Sequence, residues 1–398
     1  MTSVSRTDAE QSVLRRLIAE LENLPDAAED LASALNDLGD VLAAQGRCDE
    51  EVLALYRRAL QLFIAAGGED QPDTANVLNN LAWVHYDRGE YRDAEQLSAE
   101  ALAIMDALFA QDDLAAEANP DSLDACRRIQ RGALSLYAGA RRAQGDYAAA
   151  EAPLLRALAV VEEHFGEDSE DMARSLNDLG MLYKYWGRFA DAEPLYRRAQ
   201  AILAALYGEN APELAGIFYN LGGLQHALGD YATAETWCRR SLALQERIHT
   251  EGHPQLAVIH GTLAAILDGL GRYEEAEDLY RRALASHVAR HGTEHPEVAL
   301  NLSNLAAIAE ARGCLAEAEA LYLHALRIRE RCLGPVHPQV ATCLNNLGML
   351  APLIGKGAEA EGLFRRALDI LERSAGADHP HTQICRAHWE RASGKNPA

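Results

Sequence analysis

One pattern occurs eight times along the chain, and its period constrains the fold more than any other feature. Each copy has a glycine followed by an acidic stretch that in most copies ends in Ala-Glu. The first two glycines, Gly46 and Gly89, are 43 residues apart, and 56 residues separate Gly89 from the third. From there the glycines follow at intervals of 42: Gly145, Gly187, Gly229, Gly271, Gly313 and Gly355. This period predicts a stacked array with an extended concave surface, because each unit buries its apolar face against its neighbours.

The apolar residues divide each repeat into two helices. In residues 170–211, Gly187 separates two segments with apolar residues at helical spacing, and its missing Cβ suits a turn. The predicted inner positions are Leu176, Leu179 and Tyr183 in the first helix, and Phe189, Ala192, Tyr196 and Ala199 in the second. The predicted fold class is therefore all-α.

Histidine precedes proline at four joints between repeats, again 42 residues apart: His253, His295, His337 and His379. Proline suits the first turn of a helix, and we predict that each histidine faces that turn. A histidine ladder for metal is disfavoured because a whole repeat separates its members. Zinc at His287, His291 and His295 is conceivable from their spacing, but Gly292 ends that helix, so no metal site is predicted.

Composition and the absence of known motifs disfavour several classes of partner and function. The formal charge of −23 disfavours nucleic acid and membrane surfaces as partners. The seven cysteines form no CxxC pair, and neither a signal peptide nor a membrane helix is apparent, so a cytoplasmic location is predicted. No phosphate-binding loop, HExxH motif or nucleophile elbow occurs, so neither a cofactor nor catalysis is predicted.

The repeat resembles the tetratricopeptide repeat. Repeat four carries the family signature at Leu179-Gly180, Tyr183, Gly187, Phe189, Ala192, Tyr196 and Ala199. The 42-residue period, the LNNLG run at 344–348 and the His-Pro joint look like the kinesin-light-chain subclass. The resemblance implies a right-handed superhelical solenoid of about eight antiparallel helix pairs, with helix one of each pair lining the concave groove.

Three segments follow from this resemblance. Residues 1–25 are predicted as an N-terminal capping helix, 26–375 as eight repeats with an insert at about 108–125, and 376–398 as a C-terminal capping helix and tail. Two residues within the repeats depart from the family pattern. Gly139 lies near the middle of helix one in repeat three, and Pro352 should kink or interrupt helix one of repeat eight.

Asparagine recurs just before the Leu-Gly position of helix one, although it is a poor helix former. Its amide suits recognition of an extended peptide backbone, or equally a bond to the neighbouring helix that sets the stacking; the sequence leaves both open. Aromatic and basic residues beside it favour an aromatic and acidic peptide. The predicted peptide-binding residues are Asn79, Asn80, Trp83, Tyr86, Arg142, Arg174, Asn177, Asp178, Met181, Lys184, Tyr185, Tyr219, Asn220 and His226.

The predicted function is a non-catalytic scaffold or adaptor that binds a short peptide segment of a partner protein in the groove. The alternative is a ligand-responsive regulator whose superhelix changes when it binds a peptide or a small molecule. An enzyme is a third hypothesis. The oligomeric state is open, with a monomer slightly favoured.

Overall fold

A computed structural model describes residues 3–24, 26–67, 71–110, 120–249 and 252–394. These residues contain α-helices, two short 3-10 segments and no strand. The helices of repeats one to four are α2 (Ala28–Ala44) with α3 (Glu50–Gly67), α4 (Pro72–Asp87) with α5 (Tyr91–Phe109), α6 (Pro120–Ala143) with α7 (Tyr147–Phe165), and α8 (Glu170–Tyr185) with α9 (Phe189–Tyr207). Those of repeats five to eight are α10 (Ala215–Ala227) with α11 (Tyr231–Gln245), α12 (Pro254–Gly269) with α13 (Tyr273–His291), α14 (Pro296–Ala311) with α15 (Leu315–Leu333), and α16 (Pro338–Leu350) with α17 (Gly357–Ser374).

Two further helices flank these pairs, α1 (Ser3–Leu21) and α18 (Pro380–Ala392). Ile18 and Leu21 of α1 join the core of repeat one, and Trp389 of α18 packs against Phe364 and its buried neighbours. Both contacts are those expected of capping helices, which cover the exposed ends of a repeat array. The segment boundaries at residues 25 and 376 remain a prediction.

The chain forms two compact units. Unit 1 comprises residues 1–141 and 149–178, and unit 2 comprises residues 142–148 and 179–398. Each unit is built from helix pairs joined by short turns, which make the two helices of a pair antiparallel. The all-α helix-pair fold predicted from the sequence is confirmed.

The Leu-Gly motif works together with the aromatic residue of helix two. A Cβ on Gly180 would lie 2.8 Å from the Tyr196 ring, and one on Gly348 would lie 2.6 Å from the Phe364 ring. Both aromatic side chains are buried. The glycine therefore leaves the space in which the ring of the following helix packs, which explains why the two residues recur together.

The predicted role of the His-Pro histidines in the turn is confirmed. His253, His295, His337 and His379 are all helix N-caps, and each Nδ1 accepts a hydrogen bond from the backbone N–H two residues later. The proline then occupies the first helical position, where a missing N–H leaves no bond unmade.

Pro352 interrupts repeat eight as predicted, because α16 ends at Leu350 and a 3-10 turn follows at Ala351–Ile354. In repeat three, α6 runs unbroken through Gly139, which lies against the Tyr86 ring. Residues 111–119, half of the insert predicted at about 108–125, lie outside the described residues.

Candidate functional site

Two cationic side chains and two tyrosines meet on helix one of repeats three to five, in unit 2. The Arg142 guanidinium carbon lies 4.6 Å from the centre of the Tyr185 ring. The Lys184 ammonium lies 5.0 Å from the centre of the same ring and 5.9 Å from that of Tyr219. Tyr185 is 47% exposed, so one side of this cationic cluster (Arg142, Lys184, Tyr185 and Tyr219) is open to a ligand. Both cations face aromatic rings, an arrangement that stabilises positive charge at modest strength.

Lys184 is the chemically most unusual member of the cationic cluster. Burial and the nearby charge of Arg142 lower the pKa of its ammonium to about 8. Among the residues that the structure describes, no carboxylate forms an ion pair with Lys184. An ammonium ion that has lost hydration without gaining an acidic partner is favourably placed to bind an anionic group.

Glycine in the next repeat makes room for this lysine. A Cβ on Gly223 would lie 3.2 Å from Nζ of Lys184. The Tyr219 hydroxyl accepts a hydrogen bond from Thr262 Oγ1 at 3.1 Å, and burial raises the pKa of Tyr219. Tyr219 is thus held neutral and oriented by the following repeat.

The other predicted residues of unit 2 differ in how deeply their side chains are buried. Met181 is half-buried on α8, whereas Asn220 is buried on α10. His226 is half-buried, its ring meets that of Tyr231 edge-on at 5.5 Å, and burial lowers its pKa. His226 is therefore neutral at physiological pH, and the positive charge of this surface at that pH comes from Arg142 and Lys184.

The asparagines of unit 1 contact other helices of the array. Asn79 is buried and its amide donates to the Ile129 carbonyl on α6 at 3.0 Å. Asn80 donates to Asn36 Oδ1 and to Asp40 Oδ1 of repeat one, both at 2.9 Å. For these two residues the structure favours the stacking interpretation over an open row of amides, because both amides already donate within the fold.

The remaining predicted residues of unit 1 differ in accessibility. Trp83 is 37% exposed on α4, and Tyr86 packs on Tyr91 with ring centres 5.3 Å apart. Arg174 is exposed and pairs with Glu170 in its own helix. Asn177 and Asp178 are half-buried on α8. Trp83 thus offers this unit's most accessible aromatic surface among the predicted residues, whereas Arg174 already has an acidic partner.

One position of helix one changes charge systematically along unit 2. The residue three before the turn glycine is Arg142, Lys184, His226, Asp268 and Glu310 in repeats three to seven. All five are half-buried. Burial raises the pKa values of Asp268 and Glu310, as it lowers that of Lys184. The same surface position is therefore cationic in repeats three and four and acidic in repeats six and seven.

The tetratricopeptide repeat family matches residues 30–107, 130–205, 213–287 and 297–373, and a second family of the same description matches 177–247 and 262–331. These matches cover most of the chain. The chain belongs to the tetratricopeptide repeat family. No curated protein matches its sequence.

Two solved structures share the fold at low sequence identity, and a third gives a weaker match. NprR in complex with its cognate peptide NprX is 16% identical over 73% of this chain and 83% of its own, with a TM-score of 0.54. A Rap protein complexed with Competence and Sporulation Factor is 12% identical over 92% and 98%, with a TM-score of 0.52. Nearly identical repeats assigned to a Podosopora anserina kinesin light chain are 22% identical over 52% and 97%, with a TM-score of 0.39. The kinesin-light-chain subclass remains a prediction.

Sequence reasoning missed two residues that shape the tetratricopeptide surface around Lys184. Gly223 and Thr262 do not belong to the predicted set, yet one borders the ammonium and the other orients Tyr219. The Gly222-Gly223 pair of repeat five was an available signal, since Gly222 alone serves the Leu-Gly position and the second glycine has no role in the repeat motif. Thr262 directly precedes the repeat-six leucine, the same register as Asn80, Asp178 and Asn220, and this register was its available signal.

Two further observations concern the described part of the chain. There, the only group of three potential metal ligands in close proximity is His85, Glu90 and Asp93, and His85 Nδ1 is already 2.5 Å from Glu90 Oε2. Within the same residues, no helix of this tetratricopeptide protein is long and apolar enough to cross a bilayer.

Proposed function

We propose that this protein is a non-catalytic interaction scaffold that binds a peptide segment of a partner protein on the helix-one surface of repeats three to five. The bound segment presents a carboxylate to Lys184 and Arg142 and an aromatic or apolar side chain to Tyr185 and Tyr219. The observation that carries the proposal is the half-buried Lys184 ammonium, whose pKa is lowered to about 8 and which has no acidic partner among the described residues.

The chemistry of the cationic cluster supports this ligand class. A carboxylate placed beside Lys184 forms a charge-assisted hydrogen bond and restores the electrostatic stabilisation that burial removed. The open Tyr185 ring supplies flat contact area with few torsions to immobilise. Tetratricopeptide structures of similar fold are known with a cognate peptide and with Competence and Sporulation Factor, which adds support by analogy of fold alone.

A phage-displayed library of random peptides, selected on the 398-residue chain, tests the proposal. We expect the selected peptides to be enriched in Asp or Glu together with an aromatic residue. Counter-selection on the Lys184→Met variant, which keeps the length and the apolar stem of the side chain, should remove most of these binders.

Lys356→Met is the matched control for this selection. Lys356 pairs with Glu319 on another surface of unit 2, so its replacement removes a lysine charge without touching the cationic cluster. Selected peptides that bind wild type, Lys184→Met and Lys356→Met equally well would overturn the assignment of the site. Enrichment of basic rather than acidic peptides would overturn the proposed ligand class.

A ligand-responsive regulator is the second candidate, and one contact favours it. The Tyr185 ring belongs to the cationic cluster, while the Tyr185 carbonyl is 3.2 Å from His379 Nε2 of the C-terminal helix. A ligand that moves Tyr185 would therefore act on a contact 194 residues away in the chain. A radius of gyration unchanged by a saturating selected peptide, measured by small-angle scattering, would contradict this candidate.

The proposal also includes a cellular location and an oligomeric state. A cytoplasmic site of action agrees with seven cysteines that form no disulfide. A monomer is proposed, and sedimentation equilibrium would test it.

A further inference from the structure

Unit 2 contains two contacts between residues that are 194 positions apart. His337 Nε2 lies 2.5 Å from the Ala143 carbonyl oxygen, and His379 Nε2 lies 3.2 Å from the Tyr185 carbonyl oxygen. Ala143 and Tyr185 are the last residues of α6 and α8, whereas His337 and His379 are the N-caps of α16 and α18. The same interaction thus occurs twice, one repeat apart.

The prolines that follow these histidines also reach the same turns. A Cβ on Gly145 would lie 2.6 Å from Pro338 Cγ, and a Cβ on Gly187 would lie 2.5 Å from Pro380 Cδ. The equivalent turn glycines of later repeats have no atom within 4 Å of such a Cβ: Gly229, Gly271, Gly313 and Gly355. Close docking at Gly145 and Gly187 is therefore not a general property of the repeat.

The hydrogen-bond partners determine the proton positions on both histidines. Nδ1 accepts from the backbone N–H of Gln339 in one case and of His381 in the other, so Nδ1 carries no proton. A carbonyl oxygen only accepts, so Nε2 must carry the proton. Each neutral imidazole therefore joins the N-terminus of one helix to a carbonyl at the C-terminus of another. The partial charges of the two helix ends are opposite and attract each other.

We propose that His337 and His379 are the two arms of a pH-sensitive clasp, which holds the C-terminal helices of unit 2 against the turns of repeats three and four. Protonation of either imidazole places a proton on Nδ1, which breaks the N-cap bond and puts a positive charge at the positive end of a helix dipole. The carbonyl that accepts from Nε2 favours the charged ring, but the desolvation of the buried ring outweighs this bond. The clasp is closed when both rings are neutral and opens on acidification.

The surroundings of the rings set the pH range. Arg329 is the charged group that acts on His337, and the Tyr147 and His381 rings lie 6.4 and 5.3 Å from that of His379. Asp146 and Asp378 lie in the adjoining turns. Burial lowers the pKa of both His337 and His379 from 6.5. A lowered pKa means that the contribution is complete above pH 6.5 and is lost as the pH falls through the folded-state values.

Asparagine substitution separates the clasp from the helix cap. Asn is among the best N-cap residues, but its short side chain does not reach the distant carbonyl, so His337→Asn/His379→Asn keeps both caps and removes both arms. The matched control is His253→Asn/His295→Asn, which changes the equivalent caps of repeats six and seven. All proteins are the full chain, with helix content checked by circular dichroism.

Hydrogen exchange read by mass spectrometry reports the clasp without any ligand, so the result does not depend on the proposed peptide. At pH 7.5 we expect peptides covering 143–149 and 185–190 to exchange about tenfold faster in the His337→Asn/His379→Asn variant, and at the wild-type rate in the control. After correction for intrinsic exchange, wild type should lose the same protection progressively as the pH is lowered below 6.5. Exchange at the wild-type rate in the His337→Asn/His379→Asn variant at pH 7.5 would overturn the clasp. If acid accelerated exchange equally in this variant and in the His253→Asn/His295→Asn control, the pH dependence of the clasp would be overturned.

A second pair of variants is independent of histidine. Gly145→Ala and Gly271→Ala introduce the same methyl group at φ angles of +84° and +74°, so the backbone strain is comparable. Only at Gly145 does the methyl meet a proline. The clasp therefore predicts faster exchange at 337–342 in Gly145→Ala but not in Gly271→Ala, and equal behaviour of the two would count against it.

Discussion

Repeats three and four and repeats six and seven have the same helix-pair architecture but opposite charge at one equivalent position. Arg142 and Lys184 occupy this position in the first pair, and Asp268 and Glu310 in the second. Tyr196 and Tyr280 fill the core of repeats four and six identically, since both are fully buried. The comparison teaches that the periodic positions build the array, while a half-buried position outside the motif is free to vary and gives each region its chemistry.

Removing the core tyrosine should have the largest effect, and it should be alike in the two regions. Tyr196→Ala and Tyr280→Ala each leave a cavity the size of a phenol ring, and we expect each to destabilise the protein by about 3–5 kcal/mol. Urea unfolding followed by circular dichroism measures the loss. A loss at one site that is less than half of the other would show that the two frameworks are not equivalent.

Reversing the charge at the equivalent position should weaken peptide binding strongly in repeat four and only slightly in repeat six. Lys184→Glu gives repeat four the charge of repeats six and seven, and we expect it to weaken an acidic peptide selected as above by about 100-fold, because an attractive carboxylate contact becomes repulsive. Asp268→Lys is the corresponding reversal in repeat six and should change the affinity by less than about threefold at moderate salt. Isothermal titration calorimetry measures both. Equal losses would mean that long-range charge, rather than contact with Lys184, drives binding.

The titration of Lys184 gives a third test. With a pKa of about 8, this ammonium is mostly charged at pH 7 and mostly neutral at pH 9. The affinity for an acidic peptide should therefore fall by about tenfold over this interval, whereas the Lys184→Arg variant stays charged and should show almost no change. A wild-type affinity that is flat between pH 7 and 9 would rule out the ammonium as the group that binds the carboxylate.

The smallest expected effect concerns Asp268 of repeat six and the thermal stability of the protein. Burial raises the pKa of Asp268, so its ionisation opposes folding, and this penalty is absent below its unfolded-state pKa and grows as the pH rises through the folded-state value. Asp268→Asn should therefore raise the melting temperature at pH 7 by about 1–2 °C, and should not raise it at pH 3. Differential scanning calorimetry measures the shift, and a lower melting temperature at pH 7 would show that the charge is stabilised by its surroundings.

Much of the fold could be predicted because it depends on local, repeated signals. The turn glycines, the Leu-Gly motif with its aromatic partner, the His-Pro caps and the break at Pro352 all act within one repeat or its immediate neighbour. The spacing of residues in the sequence is then enough to place them, and their positions agree with the structure.

The candidate site was less predictable. The recurring asparagines left peptide recognition and helix stacking equally open, and in the structure Asn79 and Asn220 are buried and Asn79 bonds to another helix. Helical spacing identifies a face of a helix, but it does not say whether a neighbouring helix covers that face. Gly223, which borders Lys184, was missed for the same reason, because its importance comes from a side chain in another repeat.

The sequence by itself determined the period, the helix pairs, their caps and the family, because these depend on residues close together in the chain. Only the tertiary structure decided that Lys184 lies between two tyrosines without an acidic partner among the described residues, with its pKa lowered to about 8. Only the tertiary structure, likewise, brings His337 to Ala143 and His379 to Tyr185 across 194 residues. Desolvation and such distant contacts depend on how successive repeats stack, and small rotations between repeats accumulate along an array in a way that no single repeat encodes.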